Sequence, residues 1–248
     1  CSRSRRLCAC HGRRGRGARH LRSRRDQCHH RHRHRLHGQH PDGDHHRAGA
    51  HGVACHAGAV DVAGHGSHVA GIIAAVADNA IGGSGVAPQS RILPIRVLDA
   101  QGSGDSKDVS KAVRFAVDSG AKVINLSLGG ATESTSLTAA IQYAVDRNVL
   151  VVAAAGNGAA DSPPKWPGAS DLTIAVTAVD RNNSVTSFDQ RGDYIDLAAP
   201  GASILSTASN DYKIQSGTSM AAAFVTGAAA LLFAAQPSIT AAQVRDVL

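Results

Sequence analysis

Val149-Leu150-Val151-Val152-Ala153-Ala154, running straight into Ala155-Gly156-Asn157-Gly158, is the stretch on which the fold turns. Six apolar residues in a row, bounded by a small-residue turn, leave no polar face for water, so the pattern predicts a strand buried on both sides. Apolar-rich stretches that read as further strands recur at 92–98, 123–128, 174–179 and 194–198. Segments with helical spacing or composition lie between and after them, at 69–77, 109–117, 137–145, 219–234 and from 241 to 248. Buried strands alternating with helices predict an α/β fold of three layers, a mostly parallel central sheet with helices on both faces. Chemistry in such folds lies in the loops beyond the carboxyl ends of the strands.

Composition agrees only after it is divided by position. The 248 residues are 43% hydrophobic, 18% charged and 3% aromatic, with a net charge of +7. This excludes disorder of the whole chain and collagen-like repetition, and the length allows one large core or two small ones. No apolar run reaches the roughly 20 residues of a membrane-spanning helix; the longest, 220–235, is interrupted by Thr226 and Gly227. Residues 1–56 hold 14 Arg, 3 Asp and no Lys, together with 12 of the 14 His and all 5 Cys. Residues 57–248 carry 12 basic against 16 acidic side chains, a mildly acidic, cysteine-free body.

The leader, 1–56, has too few apolar residues to order itself, so a basic arm is the default expectation. Clustered Arg suits nucleic-acid phosphates, but the segment lacks the aromatics that stack on bases, which argues against that partner. Cys8, Cys10 and His11, then Cys28, His29 and His30, do not form two C-x2-C knuckles and do not read as a zinc site. Nor is there an apolar stretch of the secretory-signal kind. A chain beginning with Cys leads to the expectation of a fragment, and the body is expected to be truncated at its C-terminus.

Three segments fall where the chemistry is expected. Gly64-His65-Gly66-Ser67-His68 opens a helix, and the glycines let backbone and ligand approach the His65 ring. Asn157 is exposed by the small-residue turn after the strand at 149–154. Ser219, in Ser216-Gly217-Thr218-Ser219-Met220, begins a long Ala-rich helix whose positive dipole end favours an alkoxide. Singly, each has a plainer reading: a structural imidazole, a turn asparagine and an N-cap serine.

Taken together and in this order, these segments resemble the subtilisin family of serine endopeptidases, the subtilases, from about Asp61 to Leu248. Asn125-Leu126-Ser127-Leu128-Gly129-Gly130, Gly85-Val86-Ala87-Pro88 and Ala198-Ala199-Pro200-Gly201 add to the resemblance. It implies His65 as general base, Ser219 as nucleophile and Asn157 as oxyanion donor, acting on protein or peptide substrates. It implies that Ser127, Leu128 and Gly129 form one edge of the substrate cleft and Ala154, Ala155 and Gly156 the other. A pocket walled by such small residues suits apolar side chains. The resemblance further implies secretion, a monomer, no membrane, and no cofactor for catalysis. A structural calcium is implied as well, for which Asp78 and Asn79 offer hard oxygens. Met220-Ala221-Ala222-Ala223-Phe224 departs from the family's Met-Ala-Ser/Ala-Pro-His, a change expected to disturb only the first turn of the helix.

One departure is larger. The family places its triad Asp at the end of a buried strand, in a pattern like Val-Ile-Asp-Thr-Gly, before the His. No such pattern precedes His65, and none of Asp26, Asp42, Asp44 and Asp61 follows an apolar strand. A reading-frame shift accounts for this. Arg31-His32-Arg33-His34-Arg35 written CGN-CAY-CGN-CAY-CGN becomes, one nucleotide later, a series compatible with Val-Ile-Asp-Thr-Gly, its Asp 32 residues before His65. The leader is then expected to be irregular to about residue 55, with Arg31–Arg35 excluded from a buried strand by the cost of uncompensated charge. The alternative is a genuine basic arm. The coding DNA tests this: the shifted frame over codons 31–35 should read Val-Ile-Asp-Thr-Gly, and any other reading supports the arm.

Overall fold

The structure, a computed structural model, describes residues 52–56, 64–209 and 211–248. Its elements in chain order are β1 (Gly52–His56), α1 (His65–Ala74), β2 (Arg91–Pro94), α2 (Ser106–Asp118), β3 (Ala121–Leu126), α3 (Thr135–Val145) and β4 (Leu150–Ala154), continuing with β5 (Ile174–Val179), β6 (Leu197–Pro200), β7 (Ile204–Thr207), β8 (Tyr212–Gln215), α4 (Thr218–Ala235) and α5 (Ala241–Val247). Six strands form one parallel sheet in the order β2-β1-β3-β4-β5-β6, and β7 pairs antiparallel with β8.

Period-two alternation divides the strands between two cores. Val123, Val152, Ala154, Ile174 and Val176 pack with Val69, Ile73, Met220 and Phe233 of α1 and α4. Ile124, Leu126, Val151 and Ala153 pack with Val113, Ile141 and other residues of α2 and α3. Both faces of the sheet are therefore covered, as the apolar runs require. α4 is long and apolar enough by composition to cross a membrane, but here it is the core helix of a layered fold.

The strand expected at 92–98 ends at Pro94, on the sheet's edge, where a residue without an N–H is tolerated. The strand expected at 194–198 begins only at Leu197, because residues 192–195 close a turn, Ile195 N to Gly192 O at 3.2 Å. The expectation of an irregular leader up to about residue 55 fails at β1. Gly52-Val53-Ala54-Cys55-His56 forms a regular strand between β2 and β3, with a register irregularity at Gly52/Val53. Its sequence holds no Arg, Lys, Asp or Glu, which is what a central position in a two-sided sheet demands. Arg31–Arg35 and the leader's Cys8, Cys10, His11, Cys28, His29 and His30 lie outside the described residues.

The β7–β8 hairpin, also not anticipated, is stitched to α1. Ser206 Oγ donates to His68 O at 2.8 Å and Thr207 Oγ1 to Ser67 O at 2.7 Å. His68 is fully buried, and its Nε2 lies 3.0 Å from both Ile204 O and Lys213 O, one on each strand. Two carbonyl acceptors place the proton on Nε2, while Nδ1 is buried without a partner. At the other end of the chain, Arg245 of α5 donates to Asp171 O, Thr173 O and Asp196 Oδ1, at 2.9–3.1 Å.

Burial pushes the His68 pKa below its ordinary value, against the two carbonyl hydrogen bonds that raise it. Between the depressed folded value and the unfolded one, about 6.5, the unfolded chain binds more protons. His68 therefore adds stability above that window, and the contribution is lost as pH falls through it. The urea midpoint should fall from pH 7 to pH 5 less steeply in His68→Gln than in the parent; equal slopes would remove His68 from the acid sensitivity.

Candidate active site

Chain order in the sheet locates the crevice. From β1 the chain passes through α1 to β2 on one side, then through α2 to β3 on the other, so the direction of winding reverses between β1 and β3. Ligands in open α/β sheets bind outside the carboxyl ends of the strands at such a reversal. Ser127 follows the carboxyl end of β3, and Ala155-Gly156-Asn157 follows that of β4.

His65 is the first residue of α1. Gly64 before it has φ 71°, and a Cβ there would come within 3.1 Å of Ala208 Cβ, so glycine suits this corner. Half-buried, His65 lines a cavity of about 650 Å³ together with Ser127, Leu128, Gly129, Gly130 and Trp166. The structure thus brings the His65 ring and the first predicted cleft edge to one hollow.

Ser219 is the second residue of α4, whose N-cap Gly217 has no side chain to cap the helix. It is joined to the same edge from both directions. Ser127 Oγ donates to Ser219 O at 2.9 Å, and Ser219 Oγ lies 3.5 Å from Ser127 O. Ser127 is held in turn by Asn125 Nδ2 at 2.9 Å, and Asn125 Oδ1 accepts from Thr226 Oγ1 at 2.9 Å. Asn125 and Thr226 are fully buried. A polar chain therefore runs from the third turn of α4 through the end of β3 to the backbone of Ser219.

Asn157 is exposed at the tip of its turn, yet its amide is oriented. Oδ1 accepts from Thr218 N at 2.9 Å and from Thr218 Oγ1 at 3.0 Å. A backbone N–H can only donate, so the oxygen faces Thr218 and Nδ2 faces away from it. Gly156 N also donates to Thr218 Oγ1, at 3.1 Å, tying the turn to the start of α4. Behind this second edge, Tyr194 Oη donates to Ala155 O at 3.3 Å. Gln190, fully buried, donates through Nε2 to Ser162 O and Pro163 O. Its Oε1 has no partner and lies against Gly156, where φ is 119° and any Cβ would overlap it. Burial raises the pKa of the neighbouring Asp189, whose Oδ1 accepts from Ala178 N at 3.1 Å.

His65, Ser127, Ser219 and Asn157 are thus gathered at one end of the sheet. Asp26, Asp42, Asp44 and Asp61 lie outside the described residues. Asp78 and Asn79 are the residues expected to offer oxygens to calcium. Both are exposed, Asn79 Oδ1 accepts from Ile81 N within its own turn, and among the described residues no three acidic, His or Cys side chains cluster for a metal. Sequence reasoning missed Thr218, Asn125, Thr226 and Gln190. The first two stood inside quoted motifs and needed only their partners; Thr226 and Gln190 gave no local signal.

A sequence model described as the subtilase family matches residues 27–248. The chain is 43% identical over 191 residues to the cell wall-associated protease of Bacillus subtilis (strain 168), covering 77% of this chain and 21% of that protein. It is 45% identical over 170 residues to thermitase of Thermoactinomyces vulgaris, 68% of this chain and 61% of that one. It therefore spans between about a fifth and three fifths of these relatives. Among solved structures, sphericase superposes with a TM-score of 0.71 at 33% identity, covering 81% of this chain and 83% of that one. The prenylagaramide maturation protease superposes with 0.74 at 32% identity, covering 80% and 82%.

Thr226→Val should remove the donor to Asn125 Oδ1 while keeping the side chain's shape, at a cost of about 1–3 kcal/mol for a buried, unpaired carbonyl. The denaturation midpoint measures it; an unchanged midpoint would show that the Asn125 carbonyl finds another donor.

Proposed function

The chain belongs to the subtilase family, and on that premise we propose that it is a serine endopeptidase in which Ser219 attacks, His65 carries the proton and Asn157 stabilises the oxyanion. The orientation of Asn157 carries this reading. With its oxygen committed to both donors of Thr218, its amide nitrogen is turned to the other side as a fixed hydrogen-bond donor beside Ser219. A donor aimed in advance at developing negative charge is what acyl transfer needs.

In this reading His65 takes the Ser219 hydroxyl proton as Oγ bonds to the scissile carbonyl carbon, and the carbonyl oxygen gains the negative charge. Asn157 Nδ2 and the backbone N–H of Ser219 meet that charge; at the second position of a helix the N–H has no intrahelical acceptor. The proton then passes to the leaving amine as the C–N bond breaks. Water repeats the sequence on the acyl-enzyme to release the acid. Ser127-Leu128-Gly129 and Ala154-Ala155-Gly156 pair with the substrate backbone as with an added strand. Protein or peptide substrates follow from this chemistry. An extracellular place is supported by the relative that is named for its association with the cell wall.

A second reading, a crippled relative, is favoured by one observation. The central strand beside the site, Gly52–His56, contains no carboxylate and ends nine residues before His65, far from the separation the frame-shift hypothesis requires. Without an acid behind the imidazole its tautomer is unfixed. Losing that residue costs about 10⁴ in rate in proteases of this chemistry, subtilisin among them.

A fluorophosphonate should label the chain on Ser219, and labelling should vanish in Ser219→Ala; label retained in that variant would overturn the nucleophile assignment. Asn157→Ala should lower turnover about 10²–10³-fold, the size of effect known from subtilisin itself rather than derived from this geometry. Peptide hydrolysis by the parent should be weak and should rise when Arg31→Val, His32→Ile, Arg33→Asp, His34→Thr and Arg35→Gly are combined. Full activity in the parent would show that another residue, with Asp61, Asp42 and Asp44 first to be mutated, serves as the acid.

A further inference from the structure

The two expected cleft edges carry small residues, Gly129 on one and Ala154, Ala155 and Gly156 on the other, and one longer side chain stands between them. Trp166 exchanges backbone hydrogen bonds with Gly130, at 2.8 and 2.9 Å, so residues 165–166 extend the first edge. Two residues on, a Cβ on Gly168 would lie 2.6 Å from Ala154 O and 3.3 Å from Ala155 Cα. The segment 165–168 therefore crosses from one edge to the other and closes the slot between them. Lys165 stands at the crossing. Its Cβ would be 3.3 Å from a Cβ on Gly129, and its Cγ 2.7 Å from a Cβ on Gly156. Absence of side chains at Gly129 and Gly156 is what gives the lysine stem its room.

Lys165 is half-buried, and its ammonium has no hydrogen bond or ion pair among the described residues. The ion pairs found there are elsewhere, Lys111 with Asp108 and Arg245 with Asp196. Gly129, Ala154, Ala155 and Gly156 bring no charge to the slot. Among the described residues, the charged side chain that the crossing brings to the slot is Lys165, and it is positive.

We propose that Lys165 makes this slot selective for an acidic side chain, Glu or Asp, on the residue whose carbonyl is attacked. The inference rests on the serine-endopeptidase reading and replaces the apolar preference that small walls alone suggest. A carboxylate supplies the charge-assisted partner that the ammonium lacks, whereas an apolar side chain would bury it further without one. The lysine is a specificity residue; it takes no part in moving protons or electrons.

Three tetrapeptide aldehydes, alike except for Glu, Gln or Leu at the last residue, separate charge from shape. Each is set to compete with a neutral fluorophosphonate for Ser219, an assay of binding that does not depend on turnover. In the parent chain the Glu aldehyde should compete about tenfold better than its Gln isostere at low salt, and the gap should narrow as salt rises. Lys165→Gln should abolish the gap, Lys165→Arg should retain it, and Lys165→Glu should turn the preference toward an aldehyde ending in Lys. A Glu-to-Gln ratio near one in the parent, or one unchanged in Lys165→Gln, overturns the inference while leaving the endopeptidase reading intact. Failure of the neutral fluorophosphonate to label Ser219 overturns that reading, and the inference with it.

Discussion

Close packing of α4 against the parallel sheet is the constraint on which the rest of the structure depends. Met220, Ala221, Ala222 and Ala223 are all at most 2% exposed, so the first turns of the helix are closed in on every side. Alanine permits this because it removes bulk without adding a polar atom, and it costs the helix nothing in propensity. The position of the helix start then ceases to be adjustable. Ser219 and Thr218 stand at that start, and both cleft edges reach back to them, one through Ser127 and the other through Asn157 and Gly156. A site assembled from β3, β4 and α4 keeps its geometry because none of the three can move without opening the core.

Burial on both faces also governs what the sequence discloses. β3, β4 and β5 were legible to within two residues because a strand buried on both faces reads as a nearly unbroken apolar run, and Lys122, the one charge among the three, stands only at the start of β3. The helix starts followed from Ser219 and His65 in their glycine-flanked motifs. β7 and β8 were not legible, since they form a ribbon over α1 with Leu205 and Ile214 more than half exposed. Ile204-Leu205-Ser206-Thr207 does not alternate and Tyr212-Lys213-Ile214-Gln215 is only four residues long, so no buried face stands out in sequence. β1 was concealed differently. The leader's charge and its 14 Arg describe the segment as a whole, and five uncharged residues at its end disappear in that average.

The candidate site was legible where chemistry demands a particular side chain and obscure where a side chain only supports another. His65, Ser219 and Asn157 were singled out by residue type and setting, and their roles came only from the resemblance that their motifs carry together. Thr226 could not be singled out, because its task is to donate to Asn125 across 101 residues of sequence, and Gln190 binds two carbonyls 27 and 28 residues away. Lys165 shows the same limit from another side. Its place between Gly129 and Gly156 follows from the path of 165–168 over the sheet, which no local pattern records.

The hydrogen bonds that assemble the site join residues 61, 62 and 92 positions apart, and those that dock the hairpin onto α1 span 136 to 145. Contacts this remote in sequence form only after the intervening loops have been closed, and folds dominated by them are slow to assemble. His65 and Ser219 are 154 residues apart. A partly folded chain therefore holds the imidazole before the hydroxyl has been brought to the same end of the sheet. On the endopeptidase reading proposed above, the delay has a protective side, since the chain has no assembled cleft while its own loops are still open to attack.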